Sequence, residues 1–350
     1  MKIIFAGGGT GGSVTPLISI YQEIKKRDNQ ASFLWLSPKH DPLKNLVREY
    51  NLEIKEIASG KLRRYFDWRN FIDPLFIFLG FCQSFFIILK FKPDYIVSAG
   101  GFVAVPVSWA GWFLGKKILI HQQDVVPGLA NKLMAGLATK ITVTFAASLK
   151  DFDKNKTVVV GNAVRQEIFS GSKDRGVSEF KLEANLPIVL VVGGGTGALV
   201  LNSLTLKALP QLVEFCQIIH ITGGKIFQEF SHPRYKPVVF LTKQFKDVLV
   251  AADLVVTRAG LGILTESAAL KKAILVIPMP HSHQEKNAEE FFRNNAAALL
   301  SEVNLTSDQL AQAIKSLLKD EVQLNNYRRN IAKVLPTDGS SKIVDIIYGR

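Results

Sequence analysis

The chain has 350 residues, enough for two domains with separate hydrophobic cores. A hydrophobic fraction of 47% excludes a disordered protein, and a count of two cysteines excludes a disulfide framework and a cysteine metal site. The net charge of +13 favours acidic partners, namely phosphorylated substrates or anionic lipid. We expect no nucleic acid partner, since the sequence holds no helix-turn-helix, zinc finger or RNA-binding aromatic motif.

The N-terminal half alternates apolar, strand-like runs with stretches of helix length. The runs are Lys2–Ala6, Ser32–Leu36, Ile54–Ile57, Tyr95–Ser98, Lys117–His121 and Lys140–Thr144. The helix-length stretches include Pro16–Lys26, Pro42–Tyr50 and Gly128–Leu137. This alternation predicts a parallel sheet with helices on both faces. The first strand starts without a signal-peptide cleavage pattern, so a reduced cytoplasmic setting is expected.

A second series of strands predicts a second domain of the same kind. Its strands are Thr157–Val160, Ile188–Val192, Gln217–Thr222, Val238–Leu241, Leu254–Thr257 and Ile274–Ile277. We therefore predict an α/β protein with two Rossmann-like domains, residues 1–163 and 164–335, that face each other across a cleft. The tail, residues 336–350, is open to packing back on the first domain, which the sequence alone does not decide.

The most apolar segment, Leu75–Leu89, spans about 15 residues, fewer than the roughly 20 that cross a bilayer. Two interpretations are open. The segment is either a buried core helix or a helix that docks on an anionic membrane surface. Basic residues on both sides support the second interpretation: Lys61, Arg63, Arg64, Arg69, Lys90 and Lys92. Neither interpretation predicts a membrane span.

Two glycine-rich loops share one pattern. Gly7–Gly12 follows the first strand, and Gly193–Ala198 follows the strand Ile188–Val192; each leads into a helix-like stretch. Glycines between a strand and a helix expose backbone N–H groups at the positive end of the helix dipole, which suits phosphate. The two loops therefore predict two phosphate sites, one in each domain.

Dinucleotide redox chemistry is the first alternative, because Gly7-x-Gly9-x-x-Gly12 formally satisfies its fingerprint. That site also needs an acidic residue at the end of the next strand, where it binds the ribose hydroxyls. Here the next strands end in Ser37-Pro38-Lys39 and Gly223-Gly224-Lys225, and neither supplies the acid. The sequence therefore argues against a nicotinamide or flavin enzyme.

Polar patches follow several predicted strands and are expected to line one cleft, since ligands of open parallel sheets bind beyond the carboxyl ends of the strands. They are Ser98–Phe102, His121–Asp124, Val160–Arg165, Arg258–Gly260, Thr265-Glu266 and His283–Ala288. In chain order, GGGTGG, HQQDVVPGLANK, VGNAVR, RAG with TE, and HQEKNA resemble the MurG family of glycosyltransferases. Each motif is modest alone, but the ordered set covers most of the chain and is specific.

The resemblance implies an inverting glycosyltransferase of GT-B architecture. It would move N-acetylglucosamine from UDP-N-acetylglucosamine, held by the second domain, to lipid I, an undecaprenyl-pyrophosphate-linked acceptor held by the first. The product would be lipid II of peptidoglycan synthesis. The resemblance also implies a peripheral enzyme at the cytoplasmic face of the cell membrane, with no metal and no cofactor besides the donor. Two alternatives stay open: transfer to another lipid, and a non-catalytic relative that binds nucleotide-sugar.

The resemblance also assigns substrate-binding residues. Glu266 would bind the ribose hydroxyls of the donor, Arg165 would lie near the nucleotide, and Gln284 with Asn287 would contact the sugar. The backbone of the second glycine loop would hold the diphosphate. The remaining donor-side residues are Gly195, Thr196, Gly197, Asn202, Thr242, Leu261, Gly262, Ile263, Leu264 and Thr265. The acceptor-side residues are Thr10, Gly11, Gly12, Phe102 and Asp124.

Structural alternatives to some of these roles are open. Arg258 and Glu266 would then form only an ion pair, Asn202 would be a turn or cap residue, and Phe102 would be a core residue.

Two departures from the family pattern concern the proton acceptor. The first loop continues with Ser13 where the family has histidine, and the usual His-Glu-Gln-Asn patch reads His121-Gln122-Gln123-Asp124. Serine needs help to act as a base near neutral pH. The candidate catalytic residues are therefore Asp124 first and His121 second, beside Ser13 itself. His121 also has a structural alternative, because it ends a buried strand.

Overall fold

The computed structural model describes residues 1–60, 72–194, 197–224 and 230–350. The chain divides into two compact units. Unit 1 combines Met1–Arg165 with Asp338–Arg350, and unit 2 is Gln166–Thr337. Each unit is built around its own parallel sheet, so the predicted α/β class with two Rossmann-like units is confirmed.

Within the described residues, unit 1 holds a seven-stranded parallel sheet in the order β3-β2-β1-β4-β5-β6-β7. The strands are β1 (Lys2–Ala6), β2 (Ser32–Pro38), β3 (Ile54–Ile57), β4 (Tyr95–Ser98), β5 (Lys117–Gln122), β6 (Lys140–Val143) and β7 (Thr157–Val159). The helices are α1 (Gly11–Arg27), α2 (Lys44–Arg48), α3 (Asp73–Phe91), α4 (Ala104–Phe113) and α5 (Leu129–Ala135), with a 3-10 helix at Ala146–Asp151. The strand order reverses between β1 and β4, which is where open sheets of this kind bind ligands.

Alternating side chains of β1 enter two hydrophobic cores, one on each face of the sheet. Ile3 and Phe5 join one core with residues of α1, whereas Ile4 and Ala6 join the other with residues of α4. A central strand buried on both faces explains the unbroken apolar run in the sequence. The loop after β1 therefore starts from a rigid base.

One predicted strand lies in the other unit. The sequence predicts that Thr157–Val160 opens the second series, but β7 pairs in parallel with β6, with Thr157 opposite Ile141 and Val159 opposite Val143. That prediction is wrong because an apolar run carries no local signal for the strand it will pair with.

Within the described residues, unit 2 holds a six-stranded parallel sheet in the order β10-β9-β8-β11-β12-β13. The strands are β8 (Ile188–Val192), β9 (Gln217–Ile221), β10 (Tyr235–Val238), β11 (Leu254–Thr257), β12 (Ala273–Val276) and β13 (Ala298–Leu299). The helices are α6 (Lys173–Glu179), α7 (Leu199–Leu212), α8 (Phe245–Ala251), α9 (Leu261–Ala269), α10 (His283–Arg293), α11 (Ser307–Lys319) and α12 (Glu321–Val334), after a 3-10 helix at Gln166–Ser170. Strand β10 begins three residues before its predicted start and carries Pro237, which an edge strand tolerates.

The C-terminal tail belongs to unit 1. Helix α13 (Gly339–Tyr348) packs against α1, and its Ile343 and Ile347 are buried in the same core as β1. The Arg27 guanidinium of α1 pairs with Asp345 and also donates to Ser341. An antiparallel bridge between Ala163 and Asp338 joins the segment that leaves unit 1 to the segment that returns to it.

Helix α3 is longer and more exposed than a core helix. Its 19 residues make it the one described helix that is long and apolar enough to cross a membrane, yet only 17% of its apolar window is buried. Gly80, Ser84 and Ile88 form a buried stripe four residues apart, whereas Phe78 is 64% exposed and Phe86 69%. The interpretation as a buried core helix is therefore wrong. The basic residues 61–69 of the sequence analysis lie outside the described residues.

Candidate active site

The first glycine loop joins β1 to α1 at the carboxyl edge of the unit 1 sheet. Thr10 is the N-cap of α1 in extended conformation, and its side chain makes no capping hydrogen bond within the described residues. Gly11 and Gly12 form the first turn, which holds no acidic side chain. The backbone N–H groups of this turn are therefore suited to an anion.

Ser13 ties the first loop to itself. Its buried Oγ lies 2.8 Å from the Gly8 carbonyl oxygen and 3.0 Å from that of Thr10, and these two acceptors share its one hydroxyl hydrogen. A hydroxyl held in this way within its own loop shapes the loop. The role of Ser13 as a proton acceptor therefore has no support in this geometry.

Phe102 lies against the first loop. A Cβ on Gly9 would lie 3.2 Å from Cε1 of the Phe102 ring. The turn before it uses Gly100 and Gly101, both with positive φ, and Ser98 Oγ accepts a hydrogen bond of 3.0 Å from the Gly100 N–H. The structure thus brings the acceptor-side residues Thr10, Gly11, Gly12 and Phe102 together. Phe102 is partly exposed, so it is not a core residue.

His121 is a buried structural residue. Its Nε2 is 2.8 Å from Asn162 Oδ1, and its Nδ1 is 3.1 Å from Thr142 Oγ1. Burial lowers the pKa of His121 to about 4, so the imidazole is neutral near pH 7. Because both ring nitrogens are engaged and the ring has no solvent-accessible surface, the prediction of His121 as a second base is corrected to its structural alternative.

Gln122 and Asp124 differ in exposure. The buried Gln122 amide donates from Nε2 to the Asp124 carbonyl oxygen (2.7 Å) and accepts at Oε1 from Asn131 Nδ2 (2.5 Å). A carboxylate at position 122 would lack the donor that this arrangement uses. Asp124 is partly exposed, two residues beyond β5. It is therefore the one carboxylate of the His121–Asp124 patch, and it reaches the surface.

Gln123 connects this patch to the first loop. Its Nε2 donates to the Gly12 carbonyl oxygen in the first turn of α1, and its Oε1 accepts from Asn162 Nδ2 at 3.4 Å. The ends of β1 and β5 are therefore held together by a chain of side-chain amides. The sequence analysis named Gln123 only as part of the motif, and the positioning contact to Gly12 was not predicted.

Asp41 is a further residue that the sequence analysis missed. Its Oδ1 accepts from the Gly9 N–H at 3.1 Å and from the Leu43 N–H at 3.0 Å, and its Oδ2 accepts from Ser37 Oγ at 2.7 Å. Asp41 lies two residues beyond Lys39, after the apolar run of β2 has ended. The Asp-Pro pair that begins there was the available signal, since such a pair marks a turn.

The second glycine loop joins β8 to α7 in unit 2. Gly195 and Thr196 lie outside the described residues. Gly197 has a φ of +71°, its N–H donates to the Gly194 carbonyl oxygen at 3.0 Å, and a Cβ there would lie 2.4 Å from the Thr222 carbonyl oxygen. The first turn of α7, like that of α1, contains no acidic residue. An anion is favoured here for the same reason.

Asn202 supports this loop from behind. It is buried on α7, donates from Nδ2 to the Thr222 carbonyl oxygen (2.8 Å), and its Oδ1 lies 3.1 Å from His220 Nε2. His220 Nδ1 is 3.1 Å from the Tyr235 hydroxyl. Burial lowers the pKa of His220 to about 4 and raises that of Tyr235 to about 12. Asn202 therefore links α7 to β9 and to the residue after it, which favours a structural role over donor binding.

The donor-side run 261–266 lies on one helix at the carboxyl end of β11. Helix α9 starts at Leu261 after the N-cap Gly260, and Thr265 Oγ1 donates to the Leu261 carbonyl oxygen at 2.5 Å. Glu266 is buried in the second turn. The residues of the run that the structure brings together are Leu261, Gly262, Ile263, Leu264, Thr265 and Glu266.

Arg258 pairs with a residue that the sequence analysis did not name. Its guanidinium forms an ion pair with Glu302 and donates to the Ile277 carbonyl oxygen at 2.9 Å. The alternative of an Arg258–Glu266 ion pair is therefore replaced by an Arg258–Glu302 pair. Glu302 is 44 residues away along the chain, so no local pattern signalled it.

Three of the remaining donor-side residues belong to unit 2, and one belongs to unit 1. Asn287 Nδ2 donates to the Ala259 carbonyl oxygen at 3.0 Å, which ties α10 to the turn before α9. Gln284 Oε1 accepts from the Met279 N–H at 3.0 Å. Thr242 is exposed beyond β10. Arg165 is the last residue of unit 1 before the chain enters unit 2.

No group of three or more metal-ligating side chains occurs among the residues that the structure describes. The expectation that the enzyme works without metal or cofactor stays a prediction. The described residues offer two anion-suited helix N-termini, one in each unit. Each unit also has a carboxylate beyond one of its strands: Asp124 after β5 and Glu266 on the helix after β11.

Two protein-family matches show that the chain is a glycosyltransferase. Residues 3–143 match the glycosyltransferase family 28 N-terminal domain, and residues 188–342 match the glycosyltransferase family 28 C-terminal domain. The solved structure of Acinetobacter baumannii MurG has a TM-score of 0.76 at 21% identity, over 100% of this chain and 99% of that one. A putative UDP-N-acetylglucosamine 2-epimerase from Listeria monocytogenes also has a TM-score of 0.76, at 11% identity over 99% and 96%. The fold is that of GT-B glycosyltransferases.

Sequence identity to a curated relative shows which family of glycosyltransferases this is. The chain is 34% identical over 331 residues to a Bacillus cereus protein, over 93% of this chain and 91% of the relative. That relative is named UDP-N-acetylglucosamine–N-acetylmuramyl-(pentapeptide) pyrophosphoryl-undecaprenol N-acetylglucosamine transferase 2. This chain belongs to the MurG family, as its ordered motifs predict.

Proposed function

We propose that this protein transfers N-acetylglucosamine from UDP-N-acetylglucosamine to lipid I, with inversion at the anomeric carbon, and so forms lipid II for peptidoglycan synthesis. Unit 2 holds the donor and unit 1 the acceptor. The observation that carries the proposal is that each unit of a MurG-family chain presents an acid-free helix N-terminus after a glycine loop.

Unit 2 supplies the donor contacts apart from that of Arg165, which belongs to unit 1. The N–H groups at the start of α7 and the turn at Gly197 cradle the diphosphate, whose charge grows as UDP leaves. Glu266 accepts hydrogen bonds from the two ribose hydroxyls, a task that a carboxylate does better than an amide. Gln284 and Asn287 contact the sugar hydroxyls, and Arg165 faces the nucleotide as a cation.

Unit 1 supplies the proton acceptor. The acceptor hydroxyl oxygen attacks the anomeric carbon on the face opposite UDP, the carbon–oxygen bond to UDP breaks, and UDP takes the bonding electrons. The hydroxyl proton passes to the carboxylate of Asp124. We assign this role to Asp124 because Ser13 and His121 are engaged in structural hydrogen bonds and Gln122 is a buried amide.

A transfer assay tests this assignment with radiolabelled UDP-N-acetylglucosamine and a short-chain lipid I analogue. Asp124→Asn, which keeps the shape but removes the base, is expected to lower kcat by about 100- to 10,000-fold, the range for a general base. Donor affinity is expected to stay unchanged. Glu266→Gln is the matched comparison and is expected to weaken donor binding by about tenfold, as loss of one charged hydrogen-bond acceptor does.

Two results would contradict the proposal. Donor binding without transfer to any lipid acceptor would identify a non-catalytic relative. Selective transfer to a different lipid would keep the chemistry and change the acceptor. Full activity in Asp124→Asn would contradict the assignment of the base alone.

We also propose that the protein acts peripherally at the cytoplasmic face of the cell membrane. Helices α3 and α4 each carry exposed aromatic side chains, here named together the α3–α4 surface: Phe78, Phe86, Trp112 and Phe113. Helix α3 packs against α4, and a Cβ on Gly80 would lie 2.0 Å from the Ala58 carbonyl oxygen, so α3 is held in unit 1 by a close backbone approach. Lys90 and Lys92 at its end suit anionic headgroups.

Vesicle flotation with phosphatidylglycerol tests the membrane proposal. The double variant Phe78→Ser, Phe86→Ser is expected to lose most vesicle binding, because each exposed aromatic contributes buried area in the interface. Val322→Ser is the control, since Val322 is 75% exposed but lies in unit 2. Unchanged flotation of the double variant would contradict a docking role for the α3–α4 surface.

A further inference from the structure

A buried carboxylate supports the first glycine loop. Asp41 is 7% exposed and accepts three hydrogen bonds: from the Gly9 N–H (3.1 Å), the Leu43 N–H (3.0 Å) and Ser37 Oγ (2.7 Å). All three donors are neutral groups. A carboxylate that replaces its water shell by such donors is held in one orientation, and so are its donors.

The loop rests directly on this carboxylate. A Cβ on Gly8 would lie 2.4 Å from Asp41 Oδ2 and 2.4 Å from Pro38 Cδ, so only glycine permits the approach. The Trp35 indole N–H donates to the Gly7 carbonyl oxygen at 2.9 Å. Consecutive loop residues are therefore held from β2 and from the turn that follows it.

The Gly9 N–H is the atom that matters. It comes just before Thr10, the N-cap of α1, and its hydrogen bond to Asp41 takes it out of competition for a ligand. The N–H groups of the first turn of α1 are the ones left for an anion. The carboxylate thus separates two sets of loop amides: one used by the fold and one presented outward.

We propose that Asp41 is a positioning residue for the acceptor: by holding the Gly9 N–H, it orients the first-turn amides of α1 toward the acceptor phosphates. The proposal rests on the proposed function, which places the acceptor at this loop. Asp41 acts through the loop and does not touch the substrate. Its position beyond β2 is where dinucleotide enzymes carry an acid that binds ribose, but here the acid points at the loop itself.

Two substitutions separate geometry from charge. Asp41→Asn keeps the arrangement, since Oδ1 can accept from Gly9 and Leu43 while Nδ2 donates to Ser37. Asp41→Ala removes it. We expect Asp41→Ala to raise the acceptor KM about tenfold, the upper range for loss of one hydrogen bond, and Asp41→Asn to stay within about twofold of wild type. The donor KM is expected to be unchanged in both.

A second measurement does not depend on turnover. Hydrogen exchange of the peptide containing Gly9 in the free protein is expected to be faster in Asp41→Ala than in wild type, and restored in Asp41→Asn. Asp94→Ala is the matched control, because Asp94 accepts a 2.7 Å hydrogen bond from the Lys2 N–H at the opposite end of β1. It is expected to leave loop exchange and acceptor KM unchanged. If Asp41→Ala does not fold, Ser37→Ala takes its place. It is expected to increase the hydrogen exchange of the Gly9 peptide by a smaller factor.

Several outcomes would overturn the proposal. One is that the Gly9 peptide of Asp41→Ala exchanges hydrogen at the wild-type rate. The same result in Ser37→Ala counts equally if that variant takes its place. Another is an Asp41→Asn variant as impaired as Asp41→Ala, which would assign the effect to charge. A donor KM that rises as much as the acceptor KM would show a general loss of structure. If the wild-type protein transfers no sugar, the proposed function fails, and the exchange measurement still decides the role of Asp41.

Discussion

The two glycine loops have nearly the same sequence but different supports. The first rests on a carboxylate, Asp41, and on the hydroxyl of Ser13. The second rests on a neutral amide, Asn202, which holds the Thr222 carbonyl oxygen next to Gly197. The glycine pattern therefore indicates where phosphate can bind, while the residues behind each loop determine which backbone amides remain available to it.

The two units also share one feature, a buried histidine bonded to an asparagine. The His121–Asn162 pair lies at the end of β5, and the His220–Asn202 pair lies beneath the second loop. The first pair ties the segment that leads toward unit 2, whereas the second ties a ligand loop. Because burial lowers both pKa values to about 4, the two units are expected to share one acid sensitivity.

This shared acid sensitivity gives the largest expected change in the free energy of unfolding. The folded pKa of each histidine lies below its unfolded value, so the unfolded state binds more protons as the pH falls from about 6.5 to about 4. The stabilisation is complete above this window and is lost within it, by up to about 3 kcal/mol for each histidine. Urea unfolding between about pH 7.5 and pH 4.5 measures the loss. In His220→Gln, the free energy of unfolding is expected to fall less steeply as the pH is lowered. An unchanged pH dependence in this variant would contradict the burial of a neutral imidazole.

The next effect distinguishes the loops by their packing. Gly8→Ala is expected to cost about 2 kcal/mol, as overpacking does, because its Cβ meets Asp41 and Pro38. Gly197→Ala is expected to cost at least about as much, since its Cβ meets a backbone carbonyl and its φ of +71° disfavours alanine. Gly11→Ala is the control, with its nearest neighbouring atom 3.9 Å away. Thermal unfolding equal to that of the control would refute the close contact of either loop.

A smaller effect tests the neutral support of the second loop. Asn202→Asp places an oxygen where Nδ2 now donates to the Thr222 carbonyl oxygen, so two acceptors would face each other. Donor affinity is expected to fall about tenfold, measured by calorimetry with UDP-N-acetylglucosamine. Asn162→Asp is the matched control in unit 1 and is expected to leave donor affinity unchanged. An equal loss of donor affinity in Asn202→Asp and Asn162→Asp would contradict a specific role of Asn202 in supporting the second loop.

The parts of the fold that depend on local pattern could be predicted from the sequence. The glycine loops and the strands before them carry their own signals, namely an apolar run, glycines and a following helix. The placement of β7 could not, because pairing with β6 depends on the whole sheet. The exposure of α3 could not either, since an apolar run of this length suits a core as well as a membrane surface.

The candidate site divides along the same line. Thr10, Gly11 and Gly12 lie where the motif places them, at the start of α1. The support of Gly9 by Asp41 spans 32 residues, and the bond of His121 to Asn162 spans 41, so neither is visible in a local window. A polar residue at the end of a strand looks like a ligand-binding residue until its distant partner is known.

The tail helix has a consequence for the order in which this protein is made. Helix α13 completes unit 1, yet it is synthesised only after the whole of unit 2. Until then the core around Ile3 and Phe5 lacks Ile343, Val344 and Ile347, which close it from the side of α1. The unit whose synthesis begins first is therefore the last to be completed, and its apolar surface stays open while unit 2 emerges from the ribosome.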